Sequence, residues 1–193
     1  MSGRRPGAGP LGVLVFALGL LAGCAPSLNW REVPVGGEAI ALFPCKVEHR
    51  QREAVPLGDG RYPMRQAACE ADGMTFAVTS LDSARVSDGS SGASASQIAR
   101  WMAAATAANV GAVPQPSAPA TSSASTGGDT PLRFRLAGRR DDGQSVAVEV
   151  RILVSGSWVL QAAVVGDRLQ EQAVETFLDS LGPRRLPGVM GGG

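Results

Sequence analysis

The sequence predicts an α+β domain in which one antiparallel β-sheet is flanked by helices on both faces. Three observations predict it. Residues 131–166, "PLRFRLAGRRDDGQSVAVEVRILVSGSWVLQAAVVG", hold three alternating apolar runs separated by two turn signals. Two further stretches, at about 94–109 and 167–182, repeat apolar residues at helical spacing. The third alternating run also carries Trp158, Leu160, Ala162 and Val164 on its second face, so the sheet needs cover on both sides.

The chain opens on a different kind of segment. Arg4 and Arg5 precede the apolar run "LGVLVFALGLLA", Leu11 to Ala22. Twelve residues reach only about 18 Å as helix, short of a bilayer core of roughly 30 Å, but they suit the core of an export signal. The run ends in Leu21-Ala22-Gly23-Cys24, which resembles the lipobox of bacterial lipoproteins. A plain export signal with an incidental cysteine is the competing reading. The resemblance implies a diacylglycerol on the Cys24 sulfur and cleavage before it, so that residues 1–23 are signal peptide. Two acyl chains on one cysteine are enough for stable attachment. The expected partner is therefore a membrane, held through Cys24 without being spanned. Ala25 instead of Asp after the cysteine implies the outer membrane, facing the periplasm, or the cell surface in a Gram-positive cell.

Cleavage before Cys24 leaves 170 of the 193 residues and removes two arginines, so the net charge moves from +1 to about −1. A near-neutral chain offers no electrostatic case for nucleic acid. The length suits one domain.

Three cysteines are an odd number, and lipidation of Cys24 removes the oddity. Cys45 and Cys69 then remain in a compartment where disulfides persist, and a disulfide between two neighbouring strands is the expected outcome. A metal pair or redox couple has little support: His49 is the only histidine and no CxxC occurs.

Residues 24–37 read as a tether and 38–183 as the domain. "EAIALF" is a short strand halted by Pro44, and "KVEHRQREAVPL" alternates weakly. Gly58-Asp59-Gly60 makes a turn, and Asp72-Gly73 joins two strands as a hairpin. Ile98, Trp101, Met102 and Ala105 form the apolar stripe of the first helix. Residues 113–129, rich in Pro, Ser and Ala, read as a flexible insertion.

Register in the following meander is set by the apolar pattern. A loop at Asp141-Asp142-Gly143 places Leu136, Phe134 and Leu132 opposite Val148, Val150 and Ile152, with Arg135 opposite Glu149 on the other face. A type II′ turn at Gly156-Ser157 sets Val154 opposite Val159. Asp167 is positioned to cap the closing helix, whose stripe is Leu169, Ala173, Val174, Phe177, Leu178 and Leu181, and Gly182-Pro183 stops it. Residues 184–193 are expected to be a disordered tail.

This order of strands, helix, strands and helix resembles the PsbP-like α/β/α sandwich. Small exported bacterial proteins with a Phe-Pro strand end, as in "ALFPCK", and a terminal "FLDSL" are similar. The resemblance covers roughly residues 38–183 and implies a protein that binds others or assists assembly.

Candidate chemistry is sparse. No G-x-S-x-G or phosphate loop occurs, and His49 is the sole candidate base, in a charged stretch that reads as a solvated strand. No catalytic residue, metal site or cofactor is expected. Asp141-Asp142 read as turn residues before acid–base or calcium ligands. Arg133, Arg135, Arg139 and Arg140 form a basic patch, open to lipid headgroups or an acidic partner, or merely solvated. The reading is a lipid-anchored, non-enzymatic periplasmic protein, a binding or assembly accessory with an envelope protein as candidate partner. A small-ligand carrier with a pocket between helix and sheet is the alternative, and an envelope enzyme the more distant one.

Overall fold

A computed structural model describes residues 28–87, 92–112, 115–116, 132–140 and 142–183. Two antiparallel sheets form. The smaller joins β1 (Arg31–Gly36), β2 (Ala39–Phe43) and β10 (Gly182–Pro183) in the order β1-β2-β10. The larger contains β3 (Glu48–Leu57), β4 (Gly60–Ala71), β5 (Met74–Asp82), β6 (Gln115–Pro116), β7 (Leu132–Arg139), β8 (Ser145–Ser155) and β9 (Trp158–Gly166). Its order is β3-β4-β5-β9-β8-β7-β6. Helices α1 (Ala95–Asn109) and α2 (Glu171–Ser180) complete the described residues.

The expected class, one sheet flanked by helices on both faces as in the PsbP-like sandwich, is therefore corrected. The protein is mostly β-sheet, with two antiparallel sheets and two short helices among the described residues. The physical reason lies in Val33 and Val35. Both are buried on a strand that pairs Val33 with Ala41 of β2, so residues read as part of a tether become wall of the core. Gly182-Pro183, read as a helix stop, adds a third strand by pairing with Ile40 and Ala39.

The meander has the register that its apolar pattern demands. Leu132, Phe134 and Leu136 pair with Ile152, Val150 and Val148, and Arg135 with Glu149. Val154 pairs with Val159 and Ser155 with Trp158, leaving Gly156 and Ser157 as the two-residue turn. Gly156 has φ +60° and Ser157 is not in the positive-φ region, which excludes type I′ and fits type II′. Asp72 and Gly73 both have positive φ, at 50° and 72°, the requirement of a type I′ hairpin between Ala71 and Met74.

Two clusters of buried side chains result. The first lies between the small sheet, α2 and one face of the large sheet, centred on Phe43, Phe76 and Phe177. Phe177 meets Phe43 at 5.1 Å and Phe76 at 5.3 Å, both edge to face. The second collects Phe134, Leu136, Val148, Val150 and Ile152 with Ile98 and Met102 of α1. Helix α1 starts with a capping box: Ser94 accepts from the Gln97 backbone N–H, and Gln97 Oε1 accepts from the Ser94 N–H. Its buried stripe is Ile98, Ala99, Met102, Ala103 and Ala107, while Ala105 is exposed.

Helix α2 begins later than its apolar pattern suggests. Asp167 does not cap it; its Oδ1 accepts from the neighbouring Arg168 N–H at 2.8 Å. The N-cap is Gln170, without a side-chain bond, and the Gln170 N–H is taken by Met74 Sδ. Cys45 and Cys69 form a disulfide with Cα atoms 5.9 Å apart. Cys45 sits not on a strand but in the link from β2 to β3, so the bond ties the joint between the two sheets to β4. Cys24, the signal at 1–23, the tail at 184–193 and all of the 113–129 insertion except Gln115-Pro116 lie outside the described residues. Those two residues pair with Arg135 and Phe134.

Candidate functional site

Strands β3 and β4 lie beside the part of the large sheet on which α2 packs, and β5 meets α2 at Phe76. Their register aligns Gln51 with Arg65 and Arg65 with Ser80. Side chains alternate across a strand, so residues paired in register stand on one face. Ser80 has the same parity as Phe76 and Val78, both in the first apolar cluster, so the rung Gln51–Arg65–Ser80 is polar on the core-facing side. His49 is one repeat along β3 and pairs with Ala67. Trp158 opens β9 with the parity of Leu160.

The tip of the β1–β2 hairpin roofs this rung. At Gly36 a Cβ would lie 2.8 Å from Trp158 Cζ3 and 3.0 Å from Ser80 Cβ and Oγ, and at Gly37 it would lie 3.0 Å from Trp158 Cδ1. Glycine at both positions lets the hairpin backbone rest directly on the indole ring.

The hollow left beside the hairpin is a cleft of about 570 Å³ whose lining includes Gly36, Gly37, His49, Arg65, Ser80 and Trp158. None of its lining residues is acidic. A second hollow of about 300 Å³ continues from it, sharing Gln51, Arg65, Ser80 and Trp158 and adding Glu53, Asp82 and Arg85. The two are halves of one groove.

Within it, Ser80 is 1% exposed and its hydroxyl has no hydrogen-bond partner among the described residues. Leaving a buried hydroxyl unpaired costs about 1–3 kcal/mol. Arg65, exposed on β4, makes no side-chain hydrogen bond or ion pair with a described residue. The groove thus offers an unpaired guanidinium, an unpaired hydroxyl, an amide and an aromatic wall. That set can hold a polar ligand. His49 is exposed on the edge strand β3, and no group of three or more His, Cys, Asp or Glu among the described residues could hold a metal ion.

The basic patch of the sequence is corrected by the structure. Glu149 is only 4% exposed and gathers two of its arginines. Arg133 Nη2 reaches Glu149 Oε1 at 2.7 Å, and Arg135 Nη2 reaches Oε2 at 2.7 Å. Arg135 also pairs with Glu171 at 2.8 Å and Arg133 with Asp179 at 3.1 Å, at opposite ends of α2. Arg151 Nη1 donates to the Leu178 carbonyl at 2.7 Å, in the last turn of that helix. The hydrogen bond to Glu171 pushes the Arg135 pKa up; burial pulls that of Arg151 down, against the pull of Asp179. These charges fasten α2 to β7 and β8.

Arg139 Nη1 donates to the Gly143 carbonyl, and Asp142 Oδ1 accepts from the Gln144 N–H, so both serve the turn. Asp141 lies outside the described residues. Sequence reasoning missed Arg65, Ser80 and Trp158 as a group. The available signal was Ser80: a polar residue with the parity of Phe76 and Val78 on a strand whose inward face is otherwise apolar. No helix among the described residues is long and apolar enough to cross a membrane. No protein-family model matches the chain, and no curated protein matches it.

Proposed function

We propose that this is a lipid-anchored protein of the bacterial envelope that works by binding, as an accessory to assembly or to a partner protein, and not as an enzyme. The observation that carries the reading is Leu21-Ala22-Gly23-Cys24 at the end of the Leu11–Ala22 apolar core, behind Arg4 and Arg5. The Cys45–Cys69 disulfide supports a compartment outside the reducing cytosol. The outer membrane, periplasmic side, is the proposed address, since Ala25 follows the cysteine. A second reading, a carrier of small ligands, is favoured by the groove at Arg65, Ser80 and Trp158. It moves the expected pocket from between helix and sheet to between the β1–β2 hairpin and the sheet.

The anchor is tested by labelling cells with a radioactive fatty acid and separating their membranes. The wild-type chain should carry label, begin at Cys24 and sediment with outer membrane. Cys24→Ser should lose the label and either leave the membrane or retain an uncut signal. A wild-type chain with an unmodified Cys24 rules the reading out.

A further inference from the structure

We propose that the groove beneath the β1–β2 hairpin binds a small organic anion, whose carboxylate or phosphate is held by Arg65 and Ser80 while its apolar body lies against Trp158. The inference deepens the reading of this protein as a binder and rests on it.

Three independent features point the same way. The first is charge. Arg65 stands in the middle strand of the rung with no ion pair among the described residues; no acidic residue lines the larger hollow, and Glu53 and Asp82 line only the smaller one. The arginines beside α2 show what this chain does when a guanidinium is structural: Arg133, Arg135 and Arg151 each have a carboxylate or helix carbonyl within 3.1 Å. Arg65 in the groove is left available. A guanidinium presents a planar fork that matches the two oxygens of a carboxylate or phosphate.

The second feature is Ser80. It is neighbour to Arg65 in register, 1% exposed, and its hydroxyl has no acceptor among the described residues. The hairpin tip at Gly36 covers that hydroxyl, so a ligand oxygen held by Arg65 accepts from it where the tip lifts. The third is the wall. Trp158 lines both hollows, and glycines at 36 and 37 keep its ring against the hairpin, so it is a fixed apolar surface and not a mobile side chain. An Arg, a hydroxyl and an indole around about 570 Å³ fit a small molecule with one charged end.

The test is isothermal titration of the full chain in neutral detergent with three probes that share an aromatic body. Phenylacetate presents a carboxylate, phenyl phosphate a phosphate, and 2-phenylethanol neither. The expected result is that at least one anion binds and the neutral alcohol is at least about tenfold weaker; whichever anion is tighter identifies the head group. Arg65→Gln should weaken the preferred anion at least about tenfold without moving the melting temperature, since Arg65 has no partner to lose among the described residues. Ser80→Ala should weaken it about three- to tenfold. Equal binding of anion and alcohol, no binding at millimolar concentration, or an unchanged affinity in Arg65→Gln overturns the proposal. Unchanged affinity in Ser80→Ala removes the role given to that hydroxyl. The Cys24→Ser chain is titrated in parallel: anion binding that survives there keeps the site even where the anchor fails, and an altered probe recovered afterwards refutes the non-enzymatic reading and not the site.

Discussion

Arg133 and Glu149 meet at 2.7 Å with side chains only 15% and 5% exposed, across the β7–β8 pair and beneath the flank of α2. Glu149 stands directly opposite Arg135, while Arg133 lies further along the same strand, opposite Arg151. The carboxylate therefore bridges two arginines on one face of β7, and each arginine reaches on to an acid at one end of α2. A buried charge is costly unless paired and hydrogen-bonded, and here every member is paired. The network acts as a polar border where the first apolar cluster ends.

Removing Glu149 should expose that dependence. Glu149→Ala leaves Arg133 buried with Asp179 as its sole remaining acid, and breaking a buried pair of this kind costs about 3 kcal/mol or more. Chemical denaturation of the variant measures it. Replacing Arg133, Arg135 and Glu149 together with apolar residues of similar size should cost less than Glu149→Ala alone, because no orphaned charge remains. A Glu149→Ala variant as stable as wild type would mean that the network is ornamental.

The disulfide carries a comparable share of stability. It closes a loop with sequence separation 24, for which the chain-entropy model gives about 3.5 kcal/mol. Because Cys45 lies in the link from β2 to β3, reduction should loosen the small sheet first. Hydrogen exchange with and without reductant resolves this: protection should fall most in β1 and β2 and least in β7 to β9. Uniform loss across both sheets would place the bond's effect on global stability instead.

Phe177→Ala should cost about 3–5 kcal/mol through the cavity it leaves between Phe43 and Phe76. Thermal unfolding is the measurement, and a loss under about 1 kcal/mol would show that α2 contributes little to the first cluster.

How far the sequence discloses this architecture depends on how each strand is buried. The meander is legible because β7 alternates cleanly and β8 offers one apolar partner set; a register slipped by one residue would set Phe134 against Arg151. Strand β3 is faint because Glu48 to Ala54 are all solvent-exposed on an edge strand, so no apolar period marks it. Strand β1 escapes because Val33 and Val35 are its only buried residues, flanked by Pro34 and Gly36. That one omission leads to the wrong fold class, since the small sheet replaces what a helical layer would have supplied. The groove is less legible still. Gly36, Arg65, Ser80 and Trp158 come from four elements, and only the pairing of β5 with β4 and β9 brings three of them together. Without β1 as a strand, nothing places a hairpin over Trp158.

That hairpin contact yields the most local prediction. Gly36 has φ +140°, where residues with a Cβ are strained, and its added methyl would sit 2.8 Å from Trp158 Cζ3 and 3.0 Å from Ser80. Trp158 cannot retreat easily, because the same ring already rests on Gly37. Gly36→Ala should therefore destabilise by about 2 kcal/mol, from backbone strain and overpacking together. Gly182→Ala is the matched control: Gly182 is also in the small sheet, has no positive φ, and its methyl would meet nothing within 4 Å. That variant should stay within about 0.5 kcal/mol of wild type. Near-ultraviolet circular dichroism should change in the first variant and not the second, because only the first displaces an indole. Two variants of equal stability with unchanged spectra would mean that the hairpin does not rest on Trp158, and the roof of the groove would go with it.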